Sequence, residues 1–157
     1  MDSINIKYSI DKATVEDLSS FFKESDELFD PPLRTFVDIE AYALKIRTLA
    51  RTFEAWNNDK LIGYVAAYLN DVNKKEGFVL NLSVFPEFRR HKIYQTLSKN
   101  LINTAIEEGF ERLLFEVLKK EKMLIELYRR SGYEYLRDKG DHLVIMCVDL
   151  NKYRKSK

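Results

Sequence analysis

Between Phe78 and Leu118 the hydrophobic period changes twice. FVLNLSVF is a β-branched and aromatic run that reads as a strand and ends at Pro86. From His91 to Glu108 the apolar residues Ile93, Tyr94, Leu97, Leu101, Ile102, Ala105 and Ile106 recur at helical spacing, and Gly109 stands where a helix would end. RLLFEVL then returns to a strand pattern. A strand, a helix and a strand in this order form a parallel crossover, expected to be right-handed. This unit commits the chain to a fold in which helices cover a sheet.

The flanking segments extend that reading. INIKYSI alternates as a strand, and ATVEDLSSFFKESDELF carries a helical stripe of Val15, Leu18, Phe21, Phe22, Ser25 and Leu28. Thr14 and Asp17 have the spacing of a capping box. Asp30, Pro31 and Pro32 break the helix, because proline removes a donor and clashes with the preceding turn. A second helix is predicted from Asp38, burying Ile39, Tyr42, Ile46 and Leu49. RTFEAWNNDKLIGYVAAYL reads as a hairpin about NNDK, and with the strand at Phe78 gives three consecutive strands, expected to be antiparallel. EKMLIELYRRS reads as a short helix stopped at Gly132, and YEYLR with HLVIMCVDL as a final hairpin about DKGD. The predicted order is β-α-α-β-β-β-α-β-α-β-β, a single mixed α/β (α+β) domain over residues 1–150, followed by a frayed tail over 151–157.

Charge and composition narrow the function. Lysines and arginines number 26 and acids 25 in 157 residues, so the net charge is +1. A sequence-independent nucleic-acid binder carries a large basic excess, which is missing here. Cys147 is the one cysteine, set among apolar neighbours, and reads as buried. His91 and His142 are the two histidines and are far apart, so no metal site of usual spacing is expected. The N-terminus has no apolar signal core, and no apolar run reaches membrane-spanning length, so a cytoplasmic location without membrane contact is expected.

Against this neutral background Arg89, Arg90, His91 and Lys92 crowd the point where a strand feeds a helix. A helix start offers several unpaired amides and the positive end of its dipole, a setting that suits phosphate. Arginine adds paired hydrogen bonds and lysine a point charge. The arrangement is a candidate pyrophosphate cradle. The alternative is a solvated basic surface, since cations at a helix start oppose the dipole.

The order KATVEDLSSFF, WNNDKLIGYVAAYLND, LSVFPEFRRHKIYQTL and LYRRSGYEYL resembles the GNAT superfamily of N-acyltransferases over nearly the whole chain. The resemblance implies a central, mixed, mostly antiparallel sheet whose fourth and fifth strands are parallel and splayed, with helices on both faces. It implies an acyl-CoA-dependent N-acetyltransferase that moves an acetyl group from acetyl-CoA, as co-substrate, to a primary amine by direct transfer without a metal. A small-molecule or sugar amine is the favoured acceptor. The rival is a non-catalytic module on the same fold that binds coenzyme A, another ligand or a partner protein. A homodimer through a sheet edge is compatible with the pattern.

By the same resemblance, Val84 and Phe85 present main-chain groups to the pantetheine arm. Arg89, Arg90, His91, Lys92, Ile93 and Tyr94 match the family's Arg-x-x-Gly-x-Gly/Ala loop, with lysine and tyrosine where small residues prevail. Glu121 stands where the family often has an asparagine that bonds the cofactor arm. Tyr128 matches the tyrosine that protonates the departing thiolate, a role suited to a phenol protonated at neutral pH. Asn81 and Ser83 are candidates for positioning the acceptor or a water. Glu76 and His142 are alternative bases. The segment from Phe29 to Tyr42 reads equally as an acceptor wall or as an ordinary helix–helix connection. Trp56 and Tyr64 read as core or sheet surface, and Arg129 and Arg130 as a solvated helix end.

Overall fold

The hydrophobic pattern becomes the element order observed in a computed structural model of the chain, which describes residues 5–28, 31–71, 73 and 75–154. The strands are β1 (Ile6–Ile10), β2 (Arg51–Asn57), β3 (Lys60–Tyr68), β4 (Glu76–Val84), β5 (Arg112–Leu118), β6 (Glu134–Lys139) and β7 (Leu143–Asp149). The helices are α1 (Val15–Ser25), α2 (Ile39–Leu49), α3 (Ile93–Glu107), α4 (Lys122–Arg130) and a short α5 (Asn151–Arg154). The strands are ordered β1-β2-β3-β4-β5-β7-β6. Ladders β1–β2, β2–β3, β5–β7 and β6–β7 are antiparallel, and β4–β5 is parallel, as the crossover requires. The chain divides into two compact units, 1–67 with 81–101, and 68–80 with 102–157; β4 and α3 run from one into the other.

In the first unit α1 starts where the sequence places it. Thr14 accepts from the Asp17 amide at 3.1 Å while Asp17 accepts from the Thr14 amide at 2.9 Å, so both ends of the capping box are closed. Phe21 and Phe22 of α1 are buried against Tyr64 of β3, each ring edge-on to the tyrosine at 5.4 Å. A second anchor was not legible in the sequence. Glu54 of β2 is fully buried, yet its carboxylate accepts from the Ser9 and Thr52 hydroxyls at 2.5 Å each and from the Lys12 and Ala13 amides. Those bonds satisfy its oxygens and clamp the turn between β1 and α1 onto β2. The acceptor-wall segment is only partly described: Phe29 and Asp30 lie outside the described residues, and Leu33–Thr35 form a 3-10 turn.

In the second unit β5 and β7 pair over seven positions, from Arg112↔Asp149 to Leu118↔Leu143. Their inward side chains form a core of Val117, Val144 and Met146, and Cys147 is buried beside Leu114 and Ile145, as its neighbours predict. β4 pairs with β5 from Glu76↔Arg112 to Val79↔Phe115, and the described ladder stops there although both strands continue. The segment expected to fray from 151 begins instead with the short α5, whose preceding residue Leu150 is tied by its amide to the Glu111 carbonyl at 2.9 Å; residues 155–157 lie outside the described residues.

Candidate active site

The first unit holds the basic turn. β4 ends at Val84, which is fully buried, and Phe85 follows with its ring stacked on Phe21 at 4.6 Å. The Phe85 amide donates to the Ile62 carbonyl at 2.9 Å, and the Phe85 carbonyl accepts from the Phe88 amide at 3.0 Å. The Val84 carbonyl accepts from Arg89 Nε at 3.1 Å. Three of the four main-chain groups expected to meet a pantetheine arm are therefore engaged within the chain. A carbonyl keeps a second lone pair, but the Phe85 amide has one proton and has spent it. The fourth group is the Val84 amide.

Pro86–His91 then form a 3-10 turn, so the helix expected from His91 starts two residues later, at Ile93. The residue between them is Lys92, at φ 58° and ψ 28°, in the left-handed region. Its carbonyl accepts from the Thr96 amide at 3.2 Å and so opens the α3 ladder. The left-handed backbone explains why a glycine suits this position in the Arg-x-x-Gly loop: glycine takes it without the crowding that a Cβ brings. Lys92 holds the same backbone with its side chain exposed. Tyr94 is half-buried, and Ile93 is wholly inside. Arg89, Arg90 and His91 are exposed, and the His91 ring lies 6.5 Å from that of Phe88. The turn therefore presents four basic or potentially basic side chains to solvent at the start of a 15-residue helix.

The second unit holds the tyrosine motif. Tyr128 is half-buried on α4, packed on the Val117, Val144 and Met146 core, edge-on to Phe115 at 5.1 Å and stacked on Tyr133 at 5.7 Å. Gly132, at φ 95°, reverses the chain after α4, and its amide donates to the Arg129 carbonyl at 3.0 Å. The Tyr133 amide donates to the Tyr128 carbonyl, also at 3.0 Å. These two bonds are the Schellman arrangement, and the contact between Tyr128 and Tyr133 is the apolar pair that accompanies it. The spacing Tyr-x-x-x-Gly-aromatic thus has a structural cause: it fixes Tyr128 at the helix end by backbone and by ring. Burial, together with the neighbouring Tyr153, pushes the Tyr133 phenol above its ordinary value.

The remaining candidates are less concentrated. Glu121 precedes α4 in the N-cap position without capping it through its side chain, and is exposed. Asn81 is half-buried and Ser83 buried on the last residues of β4. Glu76 is held by Arg112 at 2.6 Å, its partner in the β4–β5 register, which ties a carboxylate offered as a base into an ion pair. His142 is exposed in the β6–β7 turn, its carbonyl accepting from the Lys119 amide at 2.8 Å. Trp56 donates through its ring nitrogen to the Ser9 hydroxyl at 2.8 Å, and Tyr64 is core. Arg129 and Arg130 are exposed at the end of α4. Among the described residues no three His, Cys, Asp or Glu side chains gather to hold a metal ion, and no helix is long and apolar enough to cross a membrane.

The family model described as Acetyltransferase (GNAT) family matches residues 13–133. The chain belongs to the GNAT acetyltransferase family. No curated protein matches it. Solved GNAT-type structures share its fold. A ribosomal-protein-alanine N-acetyltransferase from Escherichia coli superposes with a TM-score of 0.70 at 17% identity, covering 93% of this chain and 94% of its own. The PaiA N-acetyltransferase from Thermoplasma acidophilum, solved in complex with coenzyme A, gives 0.67 at 17% identity over 91% and 99%. An N-acetyltransferase from Staphylococcus aureus gives 0.67 at 16% identity over 93% and 99%. At these identities the likeness is one of fold. It accords with the GNAT order of elements and with the parallel β4–β5 pair.

Proposed function

We propose that this GNAT protein transfers an acetyl group from acetyl-CoA directly to a primary amine of a small molecule or sugar, in the cytoplasm. One observation carries the reading beyond the family. Lys92 supplies the left-handed residue that a phosphate-binding turn needs, and the exposed Arg89, Arg90 and Lys92 immediately precede the opening amides of α3. The residues present fit a diphosphate: the amides of Ile93 and Tyr94 and the guanidinium groups of Arg89 and Arg90 hold it. Arg89 has donors beyond the Nε that it gives to Val84.

In this reading the acetyl thioester supplies an activated carbonyl. The Val84 amide stabilises negative charge developing on the carbonyl oxygen. The amine, deprotonated through water held by Asn81 or Ser83, attacks that carbon, and alignment of the two reactants supplies much of the rate. Tyr128 gives its phenolic proton to the departing thiolate. Tyr128 is fixed from both sides by the Gly132 cap and the Tyr133 ring, which limits the freedom lost on reaching a productive position.

The test is calorimetry with acetyl-CoA, joined to a thiol-release assay on a panel of polyamines, amino sugars and amino acids. Saturable binding with turnover on at least one amine is expected, and Arg89→Ala weakens binding by about 1–3 kcal/mol. Binding without thiol release on any amine would assign the fold to a coenzyme-binding module. Absence of binding would remove the phosphate cradle.

A further inference from the structure

We propose that the short helix α5 is a strap that positions the proposed acid: Lys152 and Tyr153 hold Tyr133, and Tyr133 holds Tyr128. This role rests on the reading of Tyr128 as the proton donor and adds two positioning residues to it. Every residue concerned lies in the second unit and outside the Arg89–Tyr94 turn.

Tyr133 needs a hold of its own. It links Gly132, at φ 95°, to β6. All six residues of β6 are exposed, so this edge strand is kept in place by its ladder to β7 and not by burial. A residue between a left-handed glycine and an exposed edge strand belongs to the parts of a fold that open at low cost. Yet its ring is the one stacked on Tyr128, and its amide bonds the Tyr128 carbonyl.

α5 supplies the hold. Its base is pinned: Leu150 is fully buried with its amide on the Glu111 carbonyl at 2.9 Å, and the Asn151 amide donates to the Asp149 carboxylate at 3.0 Å. From there Lys152 Nζ donates to the Gly132 carbonyl at 3.4 Å and lies 3.7 Å from the Glu134 carboxylate, so it grips the chain on both sides of Tyr133. Tyr153 meets Tyr133 itself. Burial first, and then the charge and the hydrogen bond of the Tyr153 side chain, push the Tyr133 phenol above its ordinary value. Contacts of exposed side chains add little to global stability. Their effect here is local, on a residue that sets the place of a reacting group, where a displacement of about 1 Å costs on the order of a hundred-fold in rate.

The experiment compares the parent with the double variant Lys152→Met and Tyr153→Phe, which keeps the aliphatic stem and the ring and removes both polar contacts. The two side chains are exposed, so the fold is retained. On an amine that accepts acetyl, kcat should fall about five-fold or more, with KM for acetyl-CoA within about two-fold of the parent and the urea midpoint unchanged. Hydrogen exchange of the Tyr133 amide, followed by NMR, should quicken by a similar factor. Lys152→Arg, with Tyr153 retained, reaches the same carbonyl and carboxylate and should keep both readouts near the parent's. Unchanged Tyr133 exchange, or faster exchange with undiminished kcat, overturns the strap. Tyr128→Phe separates this role from the reading beneath it. If that variant loses turnover and the double variant does not, Tyr128 remains the acid and α5 has no part in the reaction. If it keeps full turnover, or if the parent is inactive on every amine, the acid reading falls and the strap falls with it.

Discussion

The Tyr133 amide donates to the Tyr128 carbonyl at 3.0 Å while the two rings stack at 5.7 Å, so one residue holds the other by main chain and by side chain. The pairing depends on Gly132 between them, at φ 95°. A Cβ there would meet no heavy atom within 4 Å, so any cost of alanine is conformational and not steric packing. Gly132→Ala should lower stability by about 1–2 kcal/mol, the cost of a left-handed L-residue, and should lower turnover through misplacement of Tyr128. Urea unfolding and the thiol-release assay check the two parts. Tyr128→Phe should keep the fold, since ring packing survives, and lose turnover. Full activity in that variant would take the phenol out of the reaction.

Lys92 poses the converse case. It holds a left-handed backbone with a Cβ present. Lys92→Gly should raise stability by about 1–2 kcal/mol, as the crowding against the carbonyl is relieved. A rise in the urea midpoint with an unchanged slope is the expected result. A fall would mean that the lysine side chain makes contacts worth more than the strain.

Tyr64 carries a buried hydroxyl without a hydrogen-bond partner among the described residues. Burial drives its phenol well above the ordinary value, with the neighbouring Tyr42 acting in the same sense. An unsatisfied buried hydroxyl costs about 1–3 kcal/mol. Tyr64→Phe keeps the edge-on ring contacts with Phe21 and Phe22 and removes that cost, so the variant should unfold at a higher urea concentration. Destabilisation would reveal a buried water or other partner on the oxygen.

Asp11 gives a pH dependence. Burial raises its pKa, but bonds from the Thr52 amide and Arg51, with the charges of Arg51 and Arg47, more than offset this, and the carboxyl lies below its ordinary value. A group whose pKa is lowered by folding stabilises the native state above the unfolded-state pKa, about 3.9 for aspartate. That stability is lost as pH falls through this value and on through the folded one. The stability difference between the parent and Asp11→Asn should therefore be constant from neutrality down to about pH 5 and shrink below about pH 4. A difference that grows on acidification would contradict the assignment. Denaturant titrations across that range decide it.

What the sequence determined is the succession of elements. Period-two and period-3.6 runs, the Thr14–Asp17 box, the breaking prolines and the closing glycines are local signals, and local signals act whatever the rest of the chain does. They placed every strand and long helix, the parallel crossover and the basic turn. The tertiary structure alone decided which polar groups were used up. Arg89 folds back onto Val84, the Phe85 amide is claimed by Ile62, Glu76 is claimed by Arg112, and Glu54 is buried but satisfied by groups from β1 and the turn after it. Arg89 could have been traced along the chain, five residues from its partner, as could the Thr52 bond to Glu54; the other bonds join residues more than twenty apart. Hydrogen bonds and charges saturate with whatever the fold sets beside them, so their allocation is a property of the packed chain and not of any window along it.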